Sequence, residues 1–453
     1  MRPRRAQGKR GGKTTDTGTA HDVVPHAGTS MGEFYDALEV RDPERRERDL
    51  MAALPGVVAR AQATAPAVAR QLHGIDPWSI DSRAALVRVP VLRKSELLDA
   101  QHRSRAEGAP AAGTIERVFG GFSSIGWGQA LRVFASPGPI YEPESARPDY
   151  WRFARALYAA GFRAGELAYN CFSYHFTPAG SMMETAAHAV GCTVFPGGTG
   201  QTEQQVRAIH DLAPSGYTGT PSFLKIILEK ADELKLPLSS VKRALVSGEA
   251  FPPSLRDWLL DRGIQGYQAY GSADVGMIAF ETPAREGLVL GEDILVEIVR
   301  PGTGDPVPEG EVGEVVVTTF NPDYPLVRFG TGDLSAVMPG RSPCGRSNIR
   351  IKGWMGRADQ TTKVRGLFVH PTQVADVVAR YPQILRARLV VSGEMGNDQM
   401  LLKVEAENWP EGLAEQLANS VREVTKLRAN VERVTPGSLP NDGKVIEDAR
   451  SYA

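Results

Sequence analysis

Apolar residues recur at helical spacing through the first patterned stretch of the chain. Between positions 31 and 70, Phe34, Leu38, Leu50, Leu54, Val57 and Val58 fall on shared faces, which predicts two helices packed on a larger body. From about 150 to 320 the pattern alternates. Trp151, Ala154, Leu157 and Ala160 make one helix face, and 192–196 (CTVFP) reads as a buried strand. Helical stretches at 203–213, 222–234 and 253–263 are then separated by short strand-like runs at 216–220 and 244–248. Strands alternating with helices of this length imply an α/β fold with parallel layering and ligands at the carboxyl ends of the strands.

The character changes near 290. The β-branched runs 293–299 and 313–320 flank a turn-rich segment and predict a hairpin. After 356 the pattern predicts a compact α+β module. It has a strand at 363–368, a helix at 371–380, strands at 386–393 and 399–407, an amphipathic helix at 411–427 and a strand at 429–435. The last strand leads into a Pro/Gly/Asn/Asp-rich loop carrying Lys444. The expected organisation is a large N-terminal domain over 31–356 and a small C-terminal domain over 357–453. The polar junction at Asp359 is the expected hinge between them. Residues 1–30 carry six basic side chains before the first acid, Asp16, and are expected to be a disordered tail.

The 453 residues exceed one ordinary core, and 42% hydrophobic with 23% charged content belongs to a globular protein. A net charge of −1 gives no global reason for nucleic-acid or membrane binding. Cys171, Cys192 and Cys344 lie far apart, so neither a disulfide framework nor a structural zinc site is expected, and a reducing cytoplasm fits best. No apolar run is long enough to span a bilayer.

Three segments carry candidate chemistry. In 327–333 (VRFGTGD), two glycines allow close backbone approach, and Asp333 could accept two hydrogen bonds from a vicinal diol such as ribose. The same residue types also make an ordinary turn between strands. In 270–276 (YGSADVG), Tyr270 offers a flat face for a purine, Gly271 leaves room beside it, and Asp274 could hold Mg²⁺ through oxygen. Glu249, after the strand at 244–248, is a second carboxylate aimed at the same edge. Lys444 could neutralise charge developing between a carboxylate and the α-phosphate of ATP.

In their order and spacing these segments resemble the phenylacetate–coenzyme A ligases, a branch of the adenylate-forming acyl-CoA synthetases, from about residue 33 onward. The resemblance is strongest over 170–212, 219–224 and from 313 to the end. It implies a catalytic role for Lys444, and nucleotide or cofactor contacts from Glu249, Tyr270, Gly271, Ser272, Asp333 and Arg357. Asp274 would serve the metal, Asp359 the hinge, and Gly366 a tight turn beside the pantetheine tunnel. Phe172, Tyr174, His175 and Phe176 would bound an aryl pocket. ATP, Mg²⁺ and coenzyme A are the implied cofactors, and an aryl carboxylic acid is the implied substrate. A homodimer is among the assemblies this allows, with no nucleic acid or membrane. One departure stands out. Where the family carries a Ser/Thr/Gly-rich phosphate loop ending in lysine, 135–143 reads ASPGPIYEP, so that Glu142 stands where a cation is expected and a carboxylate would repel triphosphate. Two alternatives to a ligase therefore stay open. One is acyl transfer from a preformed adenylate, or loading of a carrier-protein pantetheine. The other is a non-catalytic homologue that binds acyl-adenylate or CoA.

Overall fold

The computed structural model describes residues 34–106, 118–136, 140–358, 360, 362–364, 367–393 and 398–450. The basic tail, Asp359, Gly366 and the centre of the 135–143 loop lie outside these residues.

Helix α1 (Pro43–Thr64) opens with Asp42 accepting the Arg45 N–H, and proline at the first helical position needs no donor there. It runs through Pro55 as one helix, and the short Pro66–Gln71 helix supplies the second expected element. Leu54, Val58 and Ala61 bury one face against Ile80, Leu86 and the β-strands behind them.

Strand β1 (Leu92–Arg93) runs directly into helix α2 (Lys94–Ala106). Strands β2 (Ala130–Ser136) and β3 (Ile140–Ser145) then form an antiparallel hairpin across the altered loop. The alternating region keeps the predicted order: β4 (Leu167–Asn170), α3 (Ala179–Val190), β5 (Thr193–Pro196), α4 (Thr202–Leu212), β6 (Gly216–Gly219), α5 (Pro221–Leu234), β7 (Arg243–Val246), α6 (Pro253–Asp261) and β8 (Gln265–Ser272). Of these, β4, α3 and β8 are additions to it. Strands β5, β4, β6, β7 and β8 pair in parallel in that spatial order.

The sheet changes direction at β8. Its end, Ala269–Ser272, pairs antiparallel with β9 (Gly276–Glu281), with the register broken between Tyr270 and Gly271. A Cβ on Gly271 would lie 2.6 Å from the Gly276 carbonyl oxygen, so the glycine is needed for this reversal itself. Tyr270 thus sits at the carboxyl edge of a parallel sheet where the topology switches, the place where α/β folds bind ligands.

A second sheet joins β1 to the predicted hairpin, β11 (Ile294–Val299) with β12 (Gly313–Thr319), through β13 (Phe329–Ser335). On the larger sheet, β10 (Leu288–Leu290) pairs antiparallel with β9. Strand β1 pairs in parallel with β13, Arg93 opposite Gly330, which delivers the start of α2 to the glycine-rich segment. Beyond Thr362 the chain has its own four-stranded sheet and its own core. In that core Val374, Val377, Leu389, Leu402, Leu417 and Val421 pack together. The α/β class and the small C-terminal α+β sheet are those the pattern predicts.

Candidate active site

Strand β13 presents Asp333 at the mouth of the cleft. Its Oδ2 accepts the Tyr270 hydroxyl at 3.0 Å, and its Oδ1 accepts Arg357 Nη1 at 2.8 Å and Trp354 Nε1 at 3.1 Å. Thr331 Oγ1 donates to the Val315 carbonyl and accepts the Asp333 N–H at 3.1 Å, so the strand's own turn fixes where the carboxylate points. Gly332 has φ +73°, a backbone conformation that favours glycine, and the Arg357 guanidinium lies over it, 2.7 Å from where a Cβ would be. Burial, then the Asp333 charge, raises the Tyr270 hydroxyl well above the ordinary tyrosine range, so it remains a neutral donor. The Tyr270 ring is packed within the core, whereas Trp354 and Arg357 are exposed. The inner partner of Asp333 is therefore fixed, and the outer partners can be exchanged for a ligand.

Beside this carboxylate is a cavity of about 320 Å³, lined among others by Arg93, Lys94, Thr331, Gly332, Arg357 and His370. Glu314 lines it as well and pairs with Arg93, while Lys94 pairs with Asp274 and Arg357 with Asp333, so each cation at the cavity wall has a carboxylate partner that a ligand would have to share or displace. Lys94 also faces the other wall, with Nζ 2.9 Å from Asp274 Oδ2. Asp274 is buried, and its Oδ1 has no hydrogen-bond partner.

Glu142 is fully buried in β3 next to Asp274. Its Oε1 accepts the Ser136 hydroxyl at 2.7 Å, while Oε2 has no partner. Burial, then the Asp274 charge, pushes its carboxyl up to about 8. The altered segment thus holds its acid inward, on the β2–β3 hairpin, under the influence of a second acid.

The remaining candidates lie around the same edge. Glu249 is exposed and accepts the Ser222 N–H at 2.7 Å, satisfying a free donor in the first turn of α5. The Ser272 hydroxyl accepts the Val275 N–H within the turn that leads to Asp274. Tyr174 accepts the Asn170 side-chain amide at 2.8 Å and lies against Gly180, where a Cβ would meet its ring at 2.9 Å. Phe172 is buried, but His175 and Phe176 are exposed at the surface, with the Phe176 carbonyl accepting the Ala135 N–H at 2.8 Å.

The Lys444 loop is docked on the larger body. Asn441 Oδ1 accepts the Val312 N–H at 3.3 Å, and Gly443 packs so closely that a Cβ would lie 2.7 Å from Val312 Cγ1 and 3.2 Å from Leu334. Gln360, next to the expected hinge, holds the loop from below. Its Nε2 donates to the Gly443 carbonyl at 3.0 Å, and its Oε1 accepts the Val445 and Ile446 N–H groups. Leu334 directly follows Asp333, so the exposed Lys444 is carried on a loop seated beside the Asp333 strand.

Lys94, Thr331, Trp354 and Ser136 are the site residues that sequence reasoning passed over. Lys94 reaches Asp274 across 180 positions only because β1 pairs with β13, and its basic neighbour Arg93 was the one local signal.

Comparisons with known proteins find relatives along most of the chain. Residues 151–321 match the family described as AMP-binding enzyme. A phenylacetate-coenzyme A ligase of Thermus thermophilus is 28% identical over 403 residues, 81% of this chain and 87% of that protein. The enzyme of the same name from Aromatoleum evansii is 28% identical over 81% of this chain and 84% of its own. Among solved structures, an open conformation of 2-hydroxyisobutyryl-CoA ligase in complex with 2-HIB-AMP and CoA has a TM-score of 0.66 at 23% identity. It covers 92% of this chain and 94% of its own, a likeness of fold.

Proposed function

We propose that this chain, a member of the adenylate-forming superfamily, is an ATP-dependent acid–thiol ligase that joins an aromatic carboxylate to AMP and passes the acyl group to coenzyme A. The observation that carries the reading is the cleft around Asp333. A fixed carboxylate with exchangeable outer partners stands beside a cavity walled by paired Arg and Lys side chains, and the lysine loop is docked next to it.

In this reading Asp333 takes the ribose diol, releasing Trp354 and Arg357, while Tyr270 keeps the carboxylate aimed. Arg357 then turns to ribose or phosphate. Glu249, Gly271 and Ser272 line the nucleotide edge, and Tyr174, His175 and Phe176 border the acyl side. The carboxylate oxygen of the acid attacks the α-phosphorus. The new P–O bond forms as the bond to pyrophosphate breaks, and holding the reactants in line supplies much of the acceleration. The Lys444 ammonium group faces the charge that develops between carboxylate and phosphate. In the second step the CoA thiolate attacks the acyl carbonyl, the C–O bond to AMP breaks, and the thiol proton passes to solvent.

Asp274 fits a hard cation, because it presents a buried oxygen acceptor with no protein donor. Magnesium, when bound, supplies positive charge beside the phosphates. We place the domain boundary at 356/357 with Asp359 as the hinge and Gly366 at the pantetheine turn. The names of the relatives support an aryl acid.

A second reading, acyl transfer from a preformed adenylate, draws on one observation: Glu142 puts a buried carboxylate on the hairpin where triphosphate would need a cation. Release of AMP separates the two. With ATP, CoA and a panel of aryl acids, the ligase reading predicts AMP and aroyl-CoA in equal amounts. Thioester formed only from synthetic aroyl-AMP, with ATP left intact, would favour the second.

A further inference from the structure

We propose that the Trp354 indole is a built-in competitor for Asp333, a residue that lowers the affinity for a ribonucleotide and hastens its departure. The inference rests on the reading of Asp333 as the ribose acceptor.

A carboxylate offers about four acceptor positions, two on each oxygen. On Asp333 three donors of the chain itself already hold such positions. Tyr270 donates to Oδ2 at 3.0 Å, while Arg357 Nη1 and Trp354 Nε1 both donate to Oδ1, at 2.8 and 3.1 Å. Oδ1 is therefore full, and the position left on Oδ2 cannot take both hydroxyls of a vicinal diol. A ribose seated on Asp333 has to displace one of the protein's own donors.

The three donors differ in what holds them. Tyr270 is locked in the core. Arg357 also reaches the Thr331 carbonyl at 3.4 Å, its guanidinium lies over Gly332, and its charge has a new partner in the ligand's phosphate. The indole carries a single neutral donor, and its bond is the longest of the three. At 54% exposed, it is held little by packing. Trp354 is the donor that gives way.

Its backbone stays where it is. The Lys352, Met355 and Ala358 N–H groups donate to the carbonyls of Ala336, Leu334 and Gly332 at 2.9, 2.9 and 2.7 Å. The Gly356 carbonyl accepts the Leu334 N–H at 2.9 Å, and the Gly353 carbonyl accepts the Ser335 hydroxyl at 2.7 Å. Gly353 and Gly356, at φ +93° and +124°, bracket the turn that presents the indole. Release is thus a side-chain rotation on a pinned backbone, a fast motion for an exposed residue, and the indole stays within reach to retake Asp333. An acceptor occupied for part of the time lowers apparent affinity by the fraction in which it is open. AMP, the leaving product, carries the same ribose as ATP, so the competitor also favours product release, a step that limits many turnovers.

The test is isothermal titration of the full-length protein with AMP, which brings no β- or γ-phosphate to the altered 135–143 segment. Trp354→Phe, which keeps an aromatic ring without the N–H, should bind AMP about 3- to 10-fold tighter than wild type, the span of one net hydrogen bond. Trp354→Leu should do the same. The 2′,3′-dideoxy form of AMP, which asks nothing of Asp333, should show no such gain. AMP affinity unchanged or weakened in both Trp354 variants overturns the inference. So does an equal gain for the dideoxy form, which would make Trp354 a steric obstacle, or an absence of AMP binding in wild type and both variants. Asp333→Ala separates this from the wider reading. If that variant binds AMP as wild type does, Asp333 is not the ribose acceptor and both fall. If it loses AMP while neither Trp354 variant binds it more tightly, only the competitor role falls.

Discussion

The Tyr270 hydroxyl donates to Asp333 Oδ2 at 3.0 Å from inside the core, so a carboxylate at the mouth of the cleft is aimed by a residue that the solvent barely reaches. If Asp333 takes the ribose, Tyr270→Phe should weaken an aroyl-AMP mimic by about 10-fold, roughly 1.4 kcal/mol, the scale of one hydrogen bond to a charged group. Asp333→Ala should cost considerably more. Isothermal titration with the mimic checks both, and unchanged affinity in Asp333→Ala would remove Asp333 from the nucleotide site.

Gly443 is the tightest point of the lysine loop's seat. At φ +69°, with Val312 Cγ1 2.7 Å from a Cβ, even alanine meets both backbone strain and a clash. Gly443→Ala should therefore unseat the loop and lower acid-dependent ATP consumption by at least about 10-fold. Thioester formation from synthetic aroyl-AMP and CoA should persist. Equal losses in the two half-reactions would mean that the loop has no special part in the first.

Arg328 stands within the VRFGTGD motif but points away from the site. It is buried, pairs in two-pronged fashion with Glu297 at 3.0 Å on each arm, and donates to the carbonyls of Val87, Val89 and Gly304. Arg328→Met leaves Glu297 charged and unpaired, and should cost about 3–5 kcal/mol in urea unfolding. A loss under 1 kcal/mol would show that this network is not what holds the motif to the N-terminal helices.

Asp149 gives the fold a pH dependence. Burial pushes its carboxyl from the ordinary 3.8 up to about 7, against the opposing pull of the Ala154 N–H, Arg152 and Arg155. Between those values the folded chain keeps a proton that the unfolded chain has lost. This group's contribution therefore favours folding at low pH and fades as pH rises to about 7. The unfolding free energy of wild type relative to Asp149→Asn should fall between pH 4 and 7, by no more than about 1.4 kcal/mol per pH unit, and level off above. A constant difference across that window would mean that Asp149 ionises normally.

Much of this was legible in the residues themselves. The alternating helices and strands, the hairpin and the small C-terminal sheet follow from local periodicity, because each element's buried face is written within its own span. Asp333 and Tyr270 were singled out from the glycine-rich turns they occupy and Lys444 from the resemblance, and the structure sets the Tyr270 hydroxyl against Asp333 and seats the Lys444 loop against Leu334. The Lys94–Asp274 pair was not, since it depends on a parallel pairing of β1 with β13 that no local pattern announces. Glu142 was visible as a departure, but its inward orientation came from the β2–β3 hairpin, where Glu142 lies opposite Phe134. Gly271 was read as space for a purine; its further need, that a Cβ there would lie 2.6 Å from the Gly276 carbonyl oxygen, depends on the β8–β9 reversal and was not legible.

The most direct measurement is exchange of labelled pyrophosphate into ATP, with and without aryl acids, for wild type and Lys444→Ala. Acid-dependent exchange is predicted for wild type, reduced about 10²- to 10³-fold in the variant, as for loss of one group that stabilises developing charge. No exchange with any acid, from protein that binds the aroyl-AMP mimic, would contradict adenylation by this chain.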